Sequence, residues 1–302
     1  MAIGDLRSVD AADGVCYVDV GTHGVPNYGS VYVVDAAEPA VVDAGTGRNH
    51  DLILDALDDL GIDPAAVRHL LLTHVHLDHA GGAGHLAAAC PNATVRVHEA
   101  GVRHLVDPER LVEGTKRAVG DQWEFYADPD PLPEARVASL ADGDTIDLGD
   151  RRLTVHAAPG HAPHQVMFFD PGDGVLFTGD AAGIYVPGRD MIKESSPPPQ
   201  FDLEACLDDA RTIESIDPDR LCFGHFGSVP YRPALTTNYR RTLVEWVEAV
   251  RQKRAELGDD DAVIEFFADN ADLADVWSPR KARAEERLNA SGVLVALDRG
   301  TA

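Results

Sequence analysis

Lysine is scarce in this chain: only Lys116, Lys193, Lys253 and Lys281 occur in 302 residues. With arginine the basic residues number 26 against 51 acids, a formal charge of −25. A nucleic-acid surface needs clustered Lys and Arg to displace counterions from phosphates, so we expect no nucleic-acid partner. The acids are spread along the chain rather than gathered in a tail, as in a halophilic-type acidic protein kept dispersed in a salt-rich cytoplasm. Screening in such a solvent would weaken electrostatic steering of a substrate. No stretch approaches the ~18 uninterrupted apolar residues of a membrane span. Asp5 and Arg7 stand where a signal peptide places an apolar run, so the expectation is a soluble, cytoplasmic protein without a membrane partner. The four cysteines, Cys16, Cys90, Cys206 and Cys222, form no CxxC pair, which argues against a cysteine zinc site. They read as small buried thiols of a reducing compartment. Aromatics make up only 6% of residues, so aliphatic side chains and alanine must fill the core.

What is present is a succession of short β-like runs and helical patterns. Strands are expected at 15–20, 31–35, 40–43, 69–73 and 94–97, then at 136–139, 153–156, 165–169, 175–178 and 221–223. Helices are expected over 49–60, where Leu52, Ile53, Ala56, Leu57 and Leu60 keep helical spacing, and over 80–90, which Pro91 ends. The segment 99–126 reads as two helical pieces broken near Asp107-Pro108, and a further helix is expected over 203–216. The segment 183–200 reads as a Gly- and Pro-rich loop, and the chain from about Thr236 reads as mostly helical.

The chemistry sits at strand ends. Thr73-His74-Val75-His76-Leu77-Asp78-His79 follows an apolar strand directly. Alternate side chains of an extended segment share a face, so His74, His76 and Asp78 can point one way, with His79 folding in beside them. Three more candidates occupy similar places, each after a strand and each preceded by glycine: His161, Asp180 and His225. Imidazole and carboxylate donors suit Zn²⁺, Fe or Mn.

With those residues in view, the chain resembles the metallo-β-lactamase superfamily over roughly residues 10–230. The resemblance implies an α/β fold, a four-layer αβ/βα sandwich, followed here by a helical C-terminal extension. It implies a catalytic domain over 1–235 and an extension over 236–302 that packs on or caps it. Carried over by position, His74, His76 and His161 match the ligands of one metal ion. Asp78, His79 and His225 match those of a second, and Asp180 matches the carboxylate that bridges both. Asp43, in Val42-Asp43-Ala44-Gly45, matches an aspartate that supports the ligands from behind.

The cofactors implied are two divalent metal ions, zinc first, with iron or manganese as alternatives. The activity implied is hydrolysis of an ester, thioester or lactone by a metal-bridging hydroxide, with Asp78 as the catalytic residue that orients the nucleophile and carries a proton to the leaving group. Alternatives on the same fold are an iron-dependent oxidoreductase of the persulfide dioxygenase type and a metal-dependent nuclease. One departure stands out. Where the family often has Gly-His-Thr-Pro-Gly-His, this chain has Gly160-His161-Ala162-Pro163-His164-Gln165.

The substrate is expected to be a small molecule. Candidate contacts are Tyr185 and Lys193 in the loop after Asp180, and His23 and Tyr28 in a segment, Gly21 to Ser30, resembling the family's mobile flap. The helical tail could cap the pocket or mediate homodimer contacts. Its removal is expected to alter substrate choice more than metal binding.

Overall fold

Apolar runs build seven strands in the first half of the chain: β1 (Leu6–Ser8), β2 (Val15–Asp19), β3 (Ser30–Val34), β4 (Ala40–Val42), β5 (His69–Leu71), β6 (Thr94–His98) and β7 (Val137–Leu140). The computed structural model describes residues 2–302. These strands form one sheet in chain order. Its first four are antiparallel; from β4 onward the pairing is parallel. Parallel neighbours need long crossovers, and here the crossovers carry the helices. These are α1 (Asp51–Asp59), α2 (Leu77–Ala80), α3 (Ala83–Ala89), α4 (Val102–Val106) and α5 (Glu109–Val119).

The later strands are β8 (Thr145–Asp147), β9 (Arg152–Ala157), β10 (Val166–Asp170) and β11 (Val175–Gly179), a hairpin of β12 (Ile184–Val186) and β13 (Met191–Lys193), then β14 (Arg220–Phe223) and β15 (Ser228–Pro230). All but the hairpin make a six-stranded sheet in the order β15-β14-β11-β10-β9-β8. The two large sheets share a core in which Tyr32, Val34, Val42 and Leu71 pack with Leu153, Val155, Phe168 and Phe177. The opposite face of the first sheet presents Val31, Val33, Val41 and Leu70 to Ile53 and Leu57 of α1 and Leu86 of α3. Each such buried side chain contributes roughly 1.5–3 kcal/mol.

The helix expected over 80–90 is α3, and the short α2 precedes it across Gly81 and Gly82. A Cβ on Gly81 would stand 2.4 Å from Leu77 O, and one on Gly82 would stand 2.3 Å from Ala44 O. The two glycines let α2 approach the turn after β4 so closely that Ala44 N–H donates to His79 O at 2.6 Å. That approach brings the carrier of Asp78 and His79 beside Asp43.

Cα proximity divides the chain into two compact units. The first comprises the chain through Ala157 with His164–Gly179 and Pro218–Tyr231; the second comprises Ala158–Pro163, Asp180–Asp217 and Arg232–Ala302. Both large sheets and α1–α5 belong to the first. The second holds the β12–β13 hairpin with α6 (Leu203–Ile216), α7 (Pro233–Leu257), α8 (Asp260–Asp269) and α9 (Pro279–Arg299). Side-chain caps start three of these helices: Asp202 accepts from Ala205 N, Asp259 from Ala262 N and Ser278 from Lys281 N.

The tail interlocks with the segment after β13. Ser196 N–H donates to Asn289 Oδ1 at 2.8 Å and Trp246 Nε1–H to Ser196 Oγ at 3.1 Å. A Cβ on Gly292 would fall 1.8 Å from Ser196 O. The tail is therefore a structural partner of the segment around Ser196. Among the described residues, no helix is long and apolar enough to cross a membrane.

Candidate metal centre

The first unit gathers five of the expected ligands. β5 ends at Leu71 and α2 starts at Leu77, so His74 and His76 lie on the extended link between them. Their ring centroids are 4.7 Å apart, and His74 and His79 are 4.2 Å apart. On the far side of His79, the His225 ring follows at 5.1 Å. Asp78, His79 and His225 offer donor atoms that all lie within 4.8 Å of one another. Asp78 Oδ2 is 3.8 Å from His79 Nε2 and 3.8 Å from His225 Nε2. That spacing is too long for hydrogen bonds. It is close to the roughly 3.4 Å expected between two donors on one tetrahedral zinc with ~2.0–2.1 Å bonds. The donor set and its spacing fit a divalent ion.

Buried groups behind the ligands fix which ring nitrogen faces forward. Asp43 Oδ2 lies 3.0 Å from His79 Nδ1, so the carboxylate takes that proton and Nε2 carries the lone pair. The same carboxylate accepts from Thr73 N at 2.8 Å and from Thr73 Oγ1 at 3.0 Å. Having donated its proton to Asp43, the Thr73 hydroxyl can accept from His74 Nδ1 at 3.1 Å. One aspartate thus orients His79 directly and His74 through Thr73. Asp43 holds a left-handed backbone, φ 65°, which is costly for a non-glycine residue and is sustained by these bonds. His225 Nδ1 faces the Tyr28 carbonyl oxygen at 3.0 Å, which can only accept, so this ring too presents Nε2.

Residues just before three of the ligands meet at the sheet edge. Val166 N–H donates to Thr73 O at 2.8 Å, and Gly224 N–H to Gly179 O at 3.2 Å. Gly179 has φ 50°, and a Cβ there would stand 2.6 Å from Thr73 Oγ1. Only glycine allows that approach.

The second unit holds the other two expected ligands. His161 Nε2 is 3.6 Å from Asp180 Oδ2. His161 Nδ1 faces Ser195 O at 3.4 Å, and the Ser195 hydroxyl donates to Asp180 Oδ2 at 3.3 Å. From α6, Asp209 accepts from Gly160 N at 2.8 Å, and a Cβ on Gly160 would stand 2.2 Å from Cys206 N. Burial raises the Asp209 carboxyl to about 7, against the pull of that N–H.

The four expected substrate contacts fare differently. Tyr28 is buried and stacks on His225, ring centroids 4.3 Å apart and planes 13° apart. His23 lies among Tyr28, Phe125 and Tyr126 with centroids 5.5–6.2 Å away. Tyr185 is half-buried and donates to Asp190 at 3.4 Å. Lys193 departs from its expected role. It is buried, with Nζ 2.7 Å from both Glu194 and Glu286. Burial pulls its ammonium down, but the two carboxylates outweigh that and hold it above its usual range. Its charge is committed to the protein rather than to a substrate carboxylate.

The segment expected as a mobile flap is tied down. Buried Asp19 accepts from Gly21 N at 2.9 Å and from Asn27 N. Sequence reasoning did not single out Asp19, Thr73, Ser195 or Asp209. Only Asp19 left a signal, an aspartate two residues before a glycine, as in an Asx turn.

A family model described as the metallo-beta-lactamase superfamily matches residues 24–225. The chain belongs to that superfamily. A metallo-beta-lactamase fold-containing protein of Sulfurisphaera tokodaii, ST1585, is 27% identical over 72% of this chain and 79% of its own length. The acyl-coenzyme A thioesterase MBLAC2 of Bos taurus is 31% identical over 56% of this chain and 63% of its own. Among solved structures, that of ST1585 aligns with a TM-score of 0.66 at 24% identity, over 76% of this chain and 86% of that one, a likeness of fold. The fold is the metallo-β-lactamase α/β fold with a helical C-terminal stretch, and the superfamily is metal-dependent, consistent with the His/Asp cluster.

Proposed function

We propose that this protein is a dinuclear-metal hydrolase of a small ester, thioester or lactone, acting in the cytoplasm. The observation that carries the reading is the Asp78–His79–His225 cluster, with both imidazoles held by Nδ1 so that Nε2 faces the carboxylate. We assign Asp78, His79 and His225 to one ion, His74, His76 and His161 to another, and Asp180 to both. Within the first unit, Gly179 touches both Thr73 and Gly224, the residues just before His74 and His225.

Divalent ions held there, zinc first by donor type, would supply Lewis acidity and make a nucleophilic water available near neutral pH. The protein's own groups do the rest. Asp78 is partly exposed while His74, His79 and His225 are buried, so it is the carboxylate that can touch solvent and substrate. It orients the attacking water and carries its proton to the leaving group. Tyr28 walls the site and excludes water from one side of His225. The thioesterase named among the relatives supports a thioester as one substrate class. The net charge of −25 favours a small molecule over a nucleic acid.

The test is to count metals in purified protein and assay ester, acyl-coenzyme A thioester and lactone panels at high salt. Asp78→Ala and Asp180→Ala should each lose about 10²–10⁴-fold in kcat/KM with folding retained. Near wild-type turnover in Asp78→Ala would show that another group handles the proton. Failure of the fully metallated protein on all three panels would overturn the hydrolase reading.

A further inference from the structure

His164, at the position where the family often has glycine, is buried with 5% of its surface exposed. Its Nδ1 lies 3.4 Å from Val75 N, a long hydrogen bond whose only donor is the peptide N–H. The Nδ1 nitrogen therefore carries the lone pair, and the ring proton sits on Nε2. The ring is parallel to His74, 6.3 Å between centroids at 10°, and perpendicular to His76 at 5.6 Å and 87°. Val75 is the residue between those two histidines and is fully buried, so water cannot serve its N–H instead.

The link from β5 to α2 has no ladder of its own around Val75. Asp43 holds it at Thr73 N, Val166 holds it at Thr73 O, and His164 holds it at Val75 N. We infer that His164 is a positioning residue: through the Val75 peptide and ring contacts it sets the relative orientation of His74 and His76, and so the affinity of the ion they bind. This rests on the reading of His74 and His76 as ligands. A glycine at 164 would leave the Val75 N–H to find another acceptor and let the two imidazoles drift.

The test titrates Zn²⁺ and Co²⁺ into metal-free protein against a chromophoric chelator, and records the Co²⁺ visible spectrum. His164→Ala should weaken one metal equivalent about 10–100-fold, the usual effect of removing a ligand's support, and alter the Co²⁺ bands. His164→Asn puts an amide oxygen near the Nδ1 position and should restore affinity to within about threefold. His164→Gln carries its oxygen one bond further and should not. If His164→Ala fails to fold, the Asn and Gln variants decide alone, and equal affinities or the reverse order would overturn the inference. Wild-type affinity and an unchanged spectrum in His164→Ala would overturn it too. A wild-type protein that binds neither ion would instead overturn the ligand reading.

Discussion

The two sets of candidate ligands are held in place by different physics. In the first unit, His74 and His225 follow strands and His79 lies in α2, and buried acceptors reach their rings directly or through one hydroxyl. Asp43 is the hub, with three donors on one carboxylate. In the second unit, His161 and Asp180 lie on loops, and their support passes through Ser195 to a segment fastened by buried charges. Glu286 there is raised to about 7 by burial, which the adjacent Lys193 opposes. The first arrangement is short and local in space. The second depends on a long tail that arrives late in the chain. Damage to the tail should therefore reach His161 and Asp180 before it reaches the first set.

The largest effect should come from cutting the tail. Truncation after Tyr231 removes Glu286 and Asn289, leaving Lys193 and the Ser196 N–H without these partners. We expect residues 180–217 to become protease-sensitive, and the protein to bind one metal equivalent tightly rather than two. Limited proteolysis with mass spectrometry, run beside metal counting, checks this. A milder break is Lys193→Met, which leaves two carboxylates buried without their cation. It should cost about 3–5 kcal/mol in urea unfolding.

Asp43→Ala strikes the other hub. It strands Thr73 N–H and His79 Nδ1 in the interior, each costing about 1–3 kcal/mol. Unlike the tail variants, it should weaken metal binding even where the second unit stays protease-resistant. Asp43→Asn keeps one acceptor and should fall between.

Asp209 offers a pH-dependent comparison. Its carboxyl is raised to about 7, whereas an unfolded aspartate titrates near ~3.9. The folded state therefore holds a proton across that interval that the unfolded chain has released. This group's contribution is full below about pH 4, falls as the pH rises to about 7, and is level above. Asp209→Asn mimics the protonated form and keeps an oxygen for Gly160 N–H. It should be near neutral at pH 4 and stabilising by roughly 2–4 kcal/mol at pH 8, read from urea midpoints. The smallest effect belongs to Tyr28→Phe. Tyr28→Ala loses a stacked ring worth about 0.5–1.5 kcal/mol beyond its buried area, while Tyr28→Phe should keep that term.

Most strands were legible because short apolar runs are a local signal, and α6 falls on its expected span, Leu203–Ile216. The seven candidate ligands stood out in the sequence as a His/Asp run after an apolar strand and three Gly-His or Gly-Asp pairs, and the glycine at 179 is explained by the approach to Thr73. Legibility failed where an element depends on distant chain. The β12–β13 hairpin hides among Gly and Pro, and the close approach of Gly82 to the Ala44 carbonyl depends on the turn after β4. Lys193 looked like a free cation because its partner Glu286 lies far along the sequence, on α9. Thr73 could not be recognised as a relay until Asp43 and His74 were seen on either side of its hydroxyl.

Whether the two sets form one centre is best answered by anomalous diffraction from crystals of the zinc-loaded protein. The account predicts two ions about 3.5–4 Å apart, one held by His74, His76 and His161, the other by Asp78, His79 and His225, with Asp180 touching both. Ions bound to the first set alone, with His161 and Asp180 turned away from them, would contradict it.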